Sequence, residues 1–489
     1  MKQQIDRWSL PFVCLSILAT FYLLQYRLLH IHSFDQDELE HLHAAWLVSK
    51  GFVPYRDFFT HHMPWFYATL SPFFRYFLVE KTPENTFAFL FFARKIMWLV
   101  TAAILFLTFQ LGKVWRDTKT GLVATTLLAT TLIFQQKVLE VRPDVFCLIF
   151  WLVFLLCLVK SLQDTQENQR WVFLFFAAGL SLGAGLLFTQ KILFAFPGLC
   201  VFALYDGFQK RLNHYFLFVV GLLIPILGTV LYFFSHHALR EFFYCTLVIN
   251  LKWVREIDSS FYILRLVKEN PFLIFFGFSA LFSKNLLRVQ SSQRSPADWF
   301  LGALVISLTV GLVFLSPVPY RQSYLTLLPL LACLAANTLL KITKSKNVLA
   351  SLFLIAITAY PLGRQALSLT YSDNRDQLSK IAFVMNHSRE DETVLDGWTG
   401  WGVFRPHAYF YFFLHSGVSG TLGWKIRGEL LSALQTGQIN PKIVLLDDSL
   451  REFFPQVADF VRTHYSPTAA EPIYIRKEAT SAPDAAAAI

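Results

Sequence analysis

The length and composition of the chain exclude a water-soluble domain. Of its 489 residues, 55% are hydrophobic, 17% are aromatic and only 16% are charged, a balance typical of membrane proteins. The formal net charge is +10, but Lys and Arg lie mostly in short breaks between apolar runs, which favours lipid headgroups over nucleic acid as their partners. The six cysteines lie mostly inside apolar runs, so we predict neither a disulfide framework nor a cysteine metal site.

Eleven apolar runs predict membrane-spanning helices, since about 20 residues cross a hydrocarbon core of roughly 30 Å. The expected spans are residues 8–29, 87–111, 121–134, 145–158, 171–188, 192–205, 215–234, 271–282, 299–315, 324–340 and 348–362. We predict that the first run remains as an anchor, because it exceeds a signal-peptide core and no small-residue cleavage site follows it. Residues 64–79 are interrupted by Pro72 and Arg75, which favours a helix lying in the membrane interface.

An odd number of spans places the two chain ends on opposite sides of the membrane. Most connectors rich in Lys and Arg then share one side, which the positive-inside rule assigns to the cytoplasm. Five basic residues fall on the opposite side against this bias: Arg56, Arg142, Lys191, Arg255 and Arg321. Positive charge there favours an anionic ligand, although an ion pair or a headgroup contact is the commoner explanation for any single one.

From residue 371 the composition becomes that of a soluble protein. The pattern predicts short apolar strands at residues 393–395, 442–446 and 472–475. It predicts helices at residues 376–386 and 450–464. We therefore expect a small α/β domain outside the membrane at 371–477, and a disordered tail at 478–489. The predicted fold class is a polytopic α-helical membrane protein, residues 1–370, with this α/β domain at its C-terminal end.

The first loop, residues 31–64, carries the strongest functional signal. It contains FDQDELEHLH, in which four acids crowd one helical turn: Asp35, Asp37, Glu38 and Glu40. Like charges repel unless something neutralises or uses them. Asp37 and His41 are four residues apart and share a helical face, with Glu38 beside them. A favourable helix start explains one acid but not four, so we predict a functional site here.

The second half of the loop reads GFVPYRDFFTHHMPW and returns to the membrane. Gly51 and Pro54 end the preceding helix, and Arg56 and Asp57 then place a cation and a further carboxylate near the membrane.

The histidines of this stretch raise the question of a metal ion. His61 and His62 are adjacent and do not share a helical face, and neither HExxH nor paired-Cys spacing is present, so we do not expect structural zinc. A loosely bound divalent ion on Asp37 or Glu38 with a histidine remains an alternative. The sequence establishes no cofactor, and this divalent ion is the one candidate.

Taken together, these motifs resemble the GT-C superfamily of membrane glycosyltransferases, and within it the protein O-mannosyltransferase and lipid A aminoarabinose transferase group. The shared features are an acidic pair after the first span, an Ala-rich helix ending in Gly, a Pro-Tyr stretch and a Pro-led interfacial helix. The plan of many spans, a catalytic first outer loop and a C-terminal outer domain is also similar. The resemblance implies inverting transfer of a sugar from a polyprenyl phosphate carrier to a lipid, glycan or protein acceptor on the non-cytoplasmic side.

The resemblance also implies roles for individual residues. Asp37 falls on the proposed base of the family, with Glu38 as its neighbour. A carboxylate there takes the proton of the acceptor hydroxyl, while cations stabilise the leaving phosphate. His61 and His62 stand where aminoarabinose transferases carry an acidic-basic pair, and this departure leaves the acceptor class open.

The remaining site predictions concern the other outer connectors. EVRPD contains Arg142 and Asp144: the Arg either grips phosphate in fork geometry, or pairs with the Asp before a helix. Lys191 and Arg321 either bind phosphate or extend toward the interface. The aromatic run at 398–411 either stacks on sugar or packs in a core. The predicted phosphate contacts are Arg142, Lys191, Arg321 and Arg56. The predicted acceptor or accessory contacts are His41, Asp57, His61, His62 and Asp144.

The sequence therefore predicts a polyprenyl phosphate-dependent glycosyltransferase in the bacterial inner membrane, with its site facing the periplasm or exterior. Membrane lipids are expected partners and nucleic acid is not. The alternative is a transporter or lipid flippase, which also needs many spans and embedded charges. Here, however, the charges gather at one face rather than along a midplane path. A non-catalytic lipid-binding or assembly protein is a third reading.

Overall fold

The computed structural model is largely helical, with a small sheet near the C-terminal end. It describes residues 2–163, 169–206, 212–254, 259–282 and 295–477. Arg255 and the predicted disordered tail at 478–489 lie outside the described residues.

Seventeen described helices precede residue 372, and several begin with proline, whose fixed φ and missing N–H suit the first turn. In chain order they are α1 (Lys2–Ile31), α2 (Gln36–Ser49), α3 (Trp65–Leu70), α4 (Pro83–Trp115), α5 (Thr118–Ala129), α6 (Leu132–Lys137), α7 (Pro143–Gln163), α8 (Gln169–Leu186), α9 (Phe196–Asp206), α10 (Leu212–Ser235), α11 (Leu239–Phe243), α12 (Ile249–Leu251), α13 (Ser259–Glu269), α14 (Pro271–Phe282), α15 (Pro296–Val310), α16 (Leu328–Ile342) and α17 (Asn347–Tyr371). Short 3₁₀ or π segments adjoin them at Ser71–Tyr76, Gln190–Ala195, Tyr244–Val248, Gly311–Leu315 and Arg321–Thr326.

The protein is an integral membrane protein, as the composition predicts. Six helical stretches are long and apolar enough to cross a membrane, by length and composition: Trp8–Ile31, Pro83–Trp115, Pro143–Gln163, Asn213–Ser235, Pro296–Leu315 and Asn347–Tyr371. Three shorter apolar helices are Trp171–Leu186, Pro271–Phe282 and Leu328–Ile342. Every predicted span overlaps helical structure, although the one at 121–134 is divided between α5 and α6. The total of eleven crossings stays a prediction.

Small residues let two of the apolar helices approach closely. A Cβ on Gly179 of α8 would lie 1.9 Å from the carbonyl oxygen of Phe218 in α10, and one on Gly221 would lie 2.3 Å from that of Phe176. Because lipid is as apolar as these side chains, close backbone packing rather than the hydrophobic effect holds such helices together.

The first loop folds over one end of the membrane helices. Its helix α2 begins with a capping box: Asp35 Oδ1 accepts from the backbone N–H of Asp37 at 3.0 Å, and Glu38 Oε1 accepts from that of Asp35 at 2.9 Å. It ends before Gly51, whose φ of +89° suits a residue without Cβ. The predicted interfacial helix is α3 with the 3₁₀ turn that contains Pro72.

The C-terminal region, residues 372–477, contains four strands and four helices. They are α18 (Arg375–Asn386), β1 (Val394–Asp396), α19 (Ser416–Gln435), β2 (Ile443–Leu445), α20 (Asp448–Phe453), α21 (Pro455–His464), β3 (Tyr465–Pro467) and β4 (Ile473–Arg476). The sheet order is β1-β2-β4-β3, with only the β1/β2 pair parallel. Strands β1, β2 and β4 agree with the predicted ones, whereas β3 and α19 were not predicted. The domain division at residue 371 stays a prediction.

The C-terminal region packs directly on the first loop. The Gln377 side chain exchanges two hydrogen bonds with the backbone of Phe34, at 2.7 and 2.9 Å. Gly400, at φ +75°, lies so close to α2 that a Cβ would be 2.5 Å from the Cβ of Leu39. The loop is therefore enclosed between the membrane helices and the sheet region.

Candidate functional site

The side chain of Asp37, in the first turn of α2, faces Arg142, which directly precedes α7. Arg142 Nη2 donates to Asp37 Oδ2 at 2.5 Å, and Nη1 donates to Glu140 Oε2 at 2.5 Å. Only 2% of the Arg142 side chain is exposed. Burial acts to raise the pKa of Asp37, but the positive charge of Arg142, together with His41, His415 and Lys137, outweighs it and holds that pKa well below its usual range. Asp37 is therefore an anion at neutral pH.

Asp144, in the first turn of α7, links Arg142 to Lys191. Lys191 Nζ donates to Asp144 Oδ1 at 2.8 Å, while Arg142 Nε lies 4.0 Å from Asp144 Oδ2. That Nε is buried and has no hydrogen-bond partner among the described atoms, a state that costs about 1–3 kcal/mol. Lys191 and the unused Nε–H of Arg142 thus converge on one carboxylate, and both are suited to an anionic ligand.

The network continues away from Lys191. Lys137 Nζ donates to both carboxylate oxygens of Glu140, at 2.7 and 2.9 Å, and lies 3.8 Å from Asp35. The connected groups, called the Asp37 cluster below, are Asp35, Asp37, Lys137, Glu140, Arg142, Asp144 and Lys191.

Glu38 turns away from this cluster into a separate buried ion pair. Arg94 of α4 donates to its carboxylate through Nε at 3.0 Å and Nη2 at 2.6 Å, and both side chains are 0% exposed. The backbone N–H of Val141 also donates to Glu38, at 3.1 Å. Glu38 thus ties α2 to α4 and to the connector that carries Arg142, while its catalytic role stays a prediction.

Three histidines of the first loop, His41, His61 and His62, interact electrostatically with Asp37. The His41 and His62 rings are 4.7 Å apart between centroids, and the His61 and His62 rings are 4.0 Å apart. Burial, together with the nearby positive charge of Arg142, lowers the pKa of His41 to about 3. Burial likewise holds the pKa values of His61 and His62 well below their usual range. All three rings are therefore neutral at physiological pH, the form that binds metals.

Glu40, His61 and His62 form one group in the described chain that fits a metal ion, since their ligand atoms lie within 4.8 Å of one another. The sequence argument against adjacent histidines assumed a helix, but this stretch lies in an irregular loop before α3. Ligands of one tetrahedral zinc are about 3.5 Å apart, so the side chains would have to rotate slightly. Burial, with the charge of Asp37, raises the pKa of Glu40 well above its usual range, and a cation would reverse that shift.

The other predicted phosphate contacts pair with residues outside the Asp37 cluster, although Arg321 interacts electrostatically with Glu140 of the cluster. Arg321 Nη2 donates to Glu269 at 2.5 Å. Arg56 pairs with Asp57 at 2.8 Å and donates to the backbone oxygen of His236. In the described part of the chain, no hydrogen bond or ion pair joins Arg56, Asp57 or Arg321 to the cluster.

Several residues of the site did not stand out in the sequence. Arg94 is a charge inside a long apolar helix, a placement that marks a functional or structural polar contact, and it could have been found that way. His415 lies in the C-terminal region, yet its ring is 6.1 Å from His61 and 5.5 Å from Trp253. Only the fold brings it there, so no local sequence signal identifies it.

Comparisons with known proteins place this architecture in a recognised class. The model of the family described as dolichyl-phosphate-mannose-protein mannosyltransferase matches residues 71–233, which include Arg94 and Arg142 but not Asp37. A sequence comparison finds no match among curated proteins. The fold is that of GT-C membrane glycosyltransferases, and the predicted resemblance and fold class are confirmed.

Two solved proteins illustrate the likeness. ArnT from Cupriavidus metallidurans, bound to undecaprenyl phosphate, superposes with a TM-score of 0.63 over 88% of this chain and 92% of its own, at 11% identity. Its apo form gives 0.63 at 14% identity, covering 89% and 92%. The Archaeoglobus fulgidus oligosaccharyltransferase AglB, with an inhibitory peptide and a dolichol-phosphate, gives 0.55 over 95% of this chain and 74% of its own, at 12% identity. At these identities the likeness concerns the fold.

Proposed function

We propose that the protein is an inverting glycosyltransferase that moves a sugar from a polyprenyl phosphate carrier to an acceptor hydroxyl, with Asp37 as general base. The observation that carries this proposal is the Asp37 cluster. It sets an anionic carboxylate beside a buried guanidinium that has an unused donor, with a second cation two contacts away. A base next to an anion-binding site is what transfer from a phosphate-linked sugar requires.

The cations around Asp144 suit the donor phosphate. Arg142 Nε and Lys191 Nζ both point to this carboxylate, which stands in for the phosphate oxygens. A phosphate has more acceptor oxygens than a carboxylate and matches the fork of a guanidinium. Undecaprenyl phosphate in ArnT and dolichol-phosphate in AglB support a carrier of this class.

The residues present account for every bond and proton that changes in the transfer. The acceptor oxygen attacks the anomeric carbon and forms the new glycosidic bond, while its proton passes to the Asp37 carboxylate. The bond between that carbon and the phosphate oxygen breaks, and its electron pair leaves with the lipid phosphate. Arg142 and Lys191 stabilise the charge that develops there. Attack opposite to the leaving phosphate inverts the anomeric centre.

Donor binding also prepares Asp37 for its role. Before binding, Arg142 donates to Asp37 at 2.5 Å and makes the carboxylate a weak base. A phosphate that draws Arg142 toward itself reduces this stabilisation, and the buried carboxylate then gains basicity. The base thus becomes effective when the sugar donor is in place.

The positive-inside rule supports a site on the non-cytoplasmic side. The Asp37 cluster lies where α1 ends and α7 begins, and the first loop leads into the start of α4. The basic residues Lys113 and Arg116 lie at the far end of α4. By this rule the end of α4 that carries these basic residues faces the cytoplasm, and the cluster then faces the periplasm or exterior.

Substitution of Asp37 by Asn tests the proposal directly. We expect transfer from radiolabelled polyprenyl phosphate sugars to fall by about 10²- to 10⁴-fold, the usual contribution of a general base, with little change in donor affinity. The matched control is Asp298→Asn, since Asp298 also pairs with an Arg, at 2.6 Å to Arg116 Nη2, but near the predicted cytoplasmic end. Full transfer by Asp37→Asn would sink the base assignment, and no transfer by folded wild type from any donor would favour the transporter.

A further inference from the structure

A groove of about 570 Å³ separates the start of α2 from the C-terminal region. Gln36 lines it on the loop side. Trp398, Thr399 and Ser416 line it opposite, and Asp448 and Glu452 also line it. It is the larger of two cavities that stand out in the described part of the chain, since the other measures about 30 Å³. The phosphate chemistry proposed above does not use this groove.

The groove lies near the proposed base. Gln36 directly precedes Asp37, and Ser416 directly follows His415. The His415 ring lies 5.2 Å from the Trp398 ring, and its electrostatic interaction with Asp37 marks it as a neighbour of that carboxylate. The sequence neighbours of both Asp37 and His415 therefore line the groove, which brings a bound molecule into the vicinity of the proposed base.

The lining favours a polyhydroxylated ligand. Trp398 and Trp401 line the groove with their indole rings. Gln36, Thr399 and Ser416 add amide and hydroxyl groups. Aromatic side chains combine an apolar face with a polar handle, and a few placed polar groups fix orientation in a pocket.

The charge of the groove disfavours an anionic ligand. Asp448 and Glu452 line it with carboxylates, and no Lys or Arg does so in the described chain. Two cations lie near the lining: Lys380 Nζ is 4.7 Å from the Trp401 ring centre and 2.8 Å from Asp376, and Arg451 Nη1 is 3.6 Å from Asp448. The carboxylates Asp447, Asp448 and Glu452 of the lining outnumber them. A phosphorylated or carboxylated acceptor would meet like charge at this rim.

We propose that the groove binds the acceptor and that the acceptor is a saccharide without negative charge. The role of this saccharide as acceptor rests on the proposed transferase function. Saccharide binding itself can be measured without transfer. Glu452 is exposed at the end of α20, so its substitution tests the groove with little risk to folding.

Binding is measured first, in the absence of any donor. Neutral manno- and gluco-oligosaccharides are titrated into the full-length protein in detergent, and tryptophan fluorescence and calorimetry are recorded. We expect Glu452→Gln to weaken binding by about five- to tenfold and Trp398→Phe to remove most of the fluorescence change. Glu390→Gln, an acid paired with Lys81 at 2.8 Å outside the groove lining, is the matched control and should bind as wild type does.

Transfer assays then separate the two proposals. Glu452→Gln should raise the acceptor KM by the same factor and leave the donor KM unchanged. Asp37→Asn should lower transfer by about 10²- to 10⁴-fold and still bind the oligosaccharide. Binding without transfer by the wild type would overturn the proposed function and keep the groove. Two results would contradict the proposal that the groove binds a neutral saccharide. One is a preference for phosphorylated oligosaccharides or for peptides, and the other is equal binding by Glu452→Gln and the wild type.

Discussion

Asp37 and Arg142 restrain each other before substrate arrives. The guanidinium is buried and shared between Asp37 and Glu140, so it is held in place at a position where a phosphate would need it. Removing one member of such a pair leaves the other in a changed electrostatic environment. The pair is therefore open to a test in which the charge of Arg142, rather than Asp37, is removed.

Arg142→Gln should make activity sensitive to acid. In the wild type, Arg142 keeps the pKa of Asp37 low, so Asp37 stays deprotonated throughout pH 5.5–8.5 and its titration contributes no acid limb. Without Arg142, burial raises that pKa, and protonation of Asp37 should reduce kcat/KM as pH falls through this window. We also expect a higher donor KM. Transfer measured across pH for both proteins checks this. A pH profile parallel to that of the wild type would mean that Arg142 does not control Asp37.

The group formed by Glu40, His61 and His62 predicts zinc binding. The ligand atoms lie within 4.8 Å of one another, and the histidines are neutral. Because an ion that binds only the folded protein stabilises it, Zn²⁺ added after chelation should raise the melting temperature of the wild type but not of His61→Asn. His387→Gln, which replaces an exposed histidine, should keep the rise. A shift that persists in His61→Asn would place the ion elsewhere.

At the level of elements, α2 is held from two sides. The Glu38–Arg94 ion pair fastens it to α4, and the N–H of Val141 adds the connector before α7. Arg94 also donates to the backbone oxygen of His32 at 2.6 Å. These contacts fix the direction in which Asp37 points, and they make Glu38 a positioning residue in our interpretation.

Glu38→Gln should therefore reduce stability, which Asp37→Asn should not. The change leaves the fully buried Arg94 without its counter-charge, which typically costs about 3–5 kcal/mol. Asp37→Asn leaves Arg142 its contacts with Glu140 and Asp35. Thermal unfolding in detergent compares the two. The double change Glu38→Gln with Arg94→Met should recover part of the loss, and an unaltered melting temperature for Glu38→Gln would contradict the positioning role.

The elements that could be predicted from sequence are those set by local patterns. The α2 start follows from Asp35 and Glu38, three residues apart in a capping box, and the apolar runs follow from length and hydropathy. Strand β3, by contrast, contains Tyr465 and Pro467 and exists through its pairing with β4. Such a short edge strand has no periodicity of its own.

The sequence predicted where the site lies better than it predicted which residues contact one another there. Asp37 and Arg142 were both identified from sequence, but their contact joins residues far apart in the chain, and neither motif predicts it. Glu38 and Asp37 are adjacent, yet one is fully buried with Arg94 and the other faces the cluster. Neighbours on a helix point in directions about 100° apart, and what each one meets depends on tertiary packing.

At the scale of the whole molecule, the C-terminal region completes the site. His43 of α2 hydrogen-bonds through Nδ1 to the Val403 oxygen at 2.7 Å and through Nε2 to His407 Nδ1 at 3.0 Å. Burial lowers the pKa of His43 to about 4 and that of His407 to about 3. The junction between α2 and the C-terminal region therefore depends on two neutral imidazoles, of which one donates the shared proton and the other accepts it.

Acid should weaken this junction. Both folded-state pKa values lie below the ordinary value of about 6.5, so the stabilisation is fully present above pH 6.5 and is lost as pH falls toward 4. Each buried histidine contributes at most about 1.4 kcal/mol per pH unit in that window. We expect the melting temperature in detergent to fall between pH 7.5 and 5.5, and to fall less in His407→Gln, because a Gln amide can still hydrogen-bond to His43 without taking up a proton. His464→Gln, at an exposed position, should fall as the wild type does. An equal fall in His407→Gln would assign the acid sensitivity to the other buried histidines, and the junction would then hold through its apolar packing.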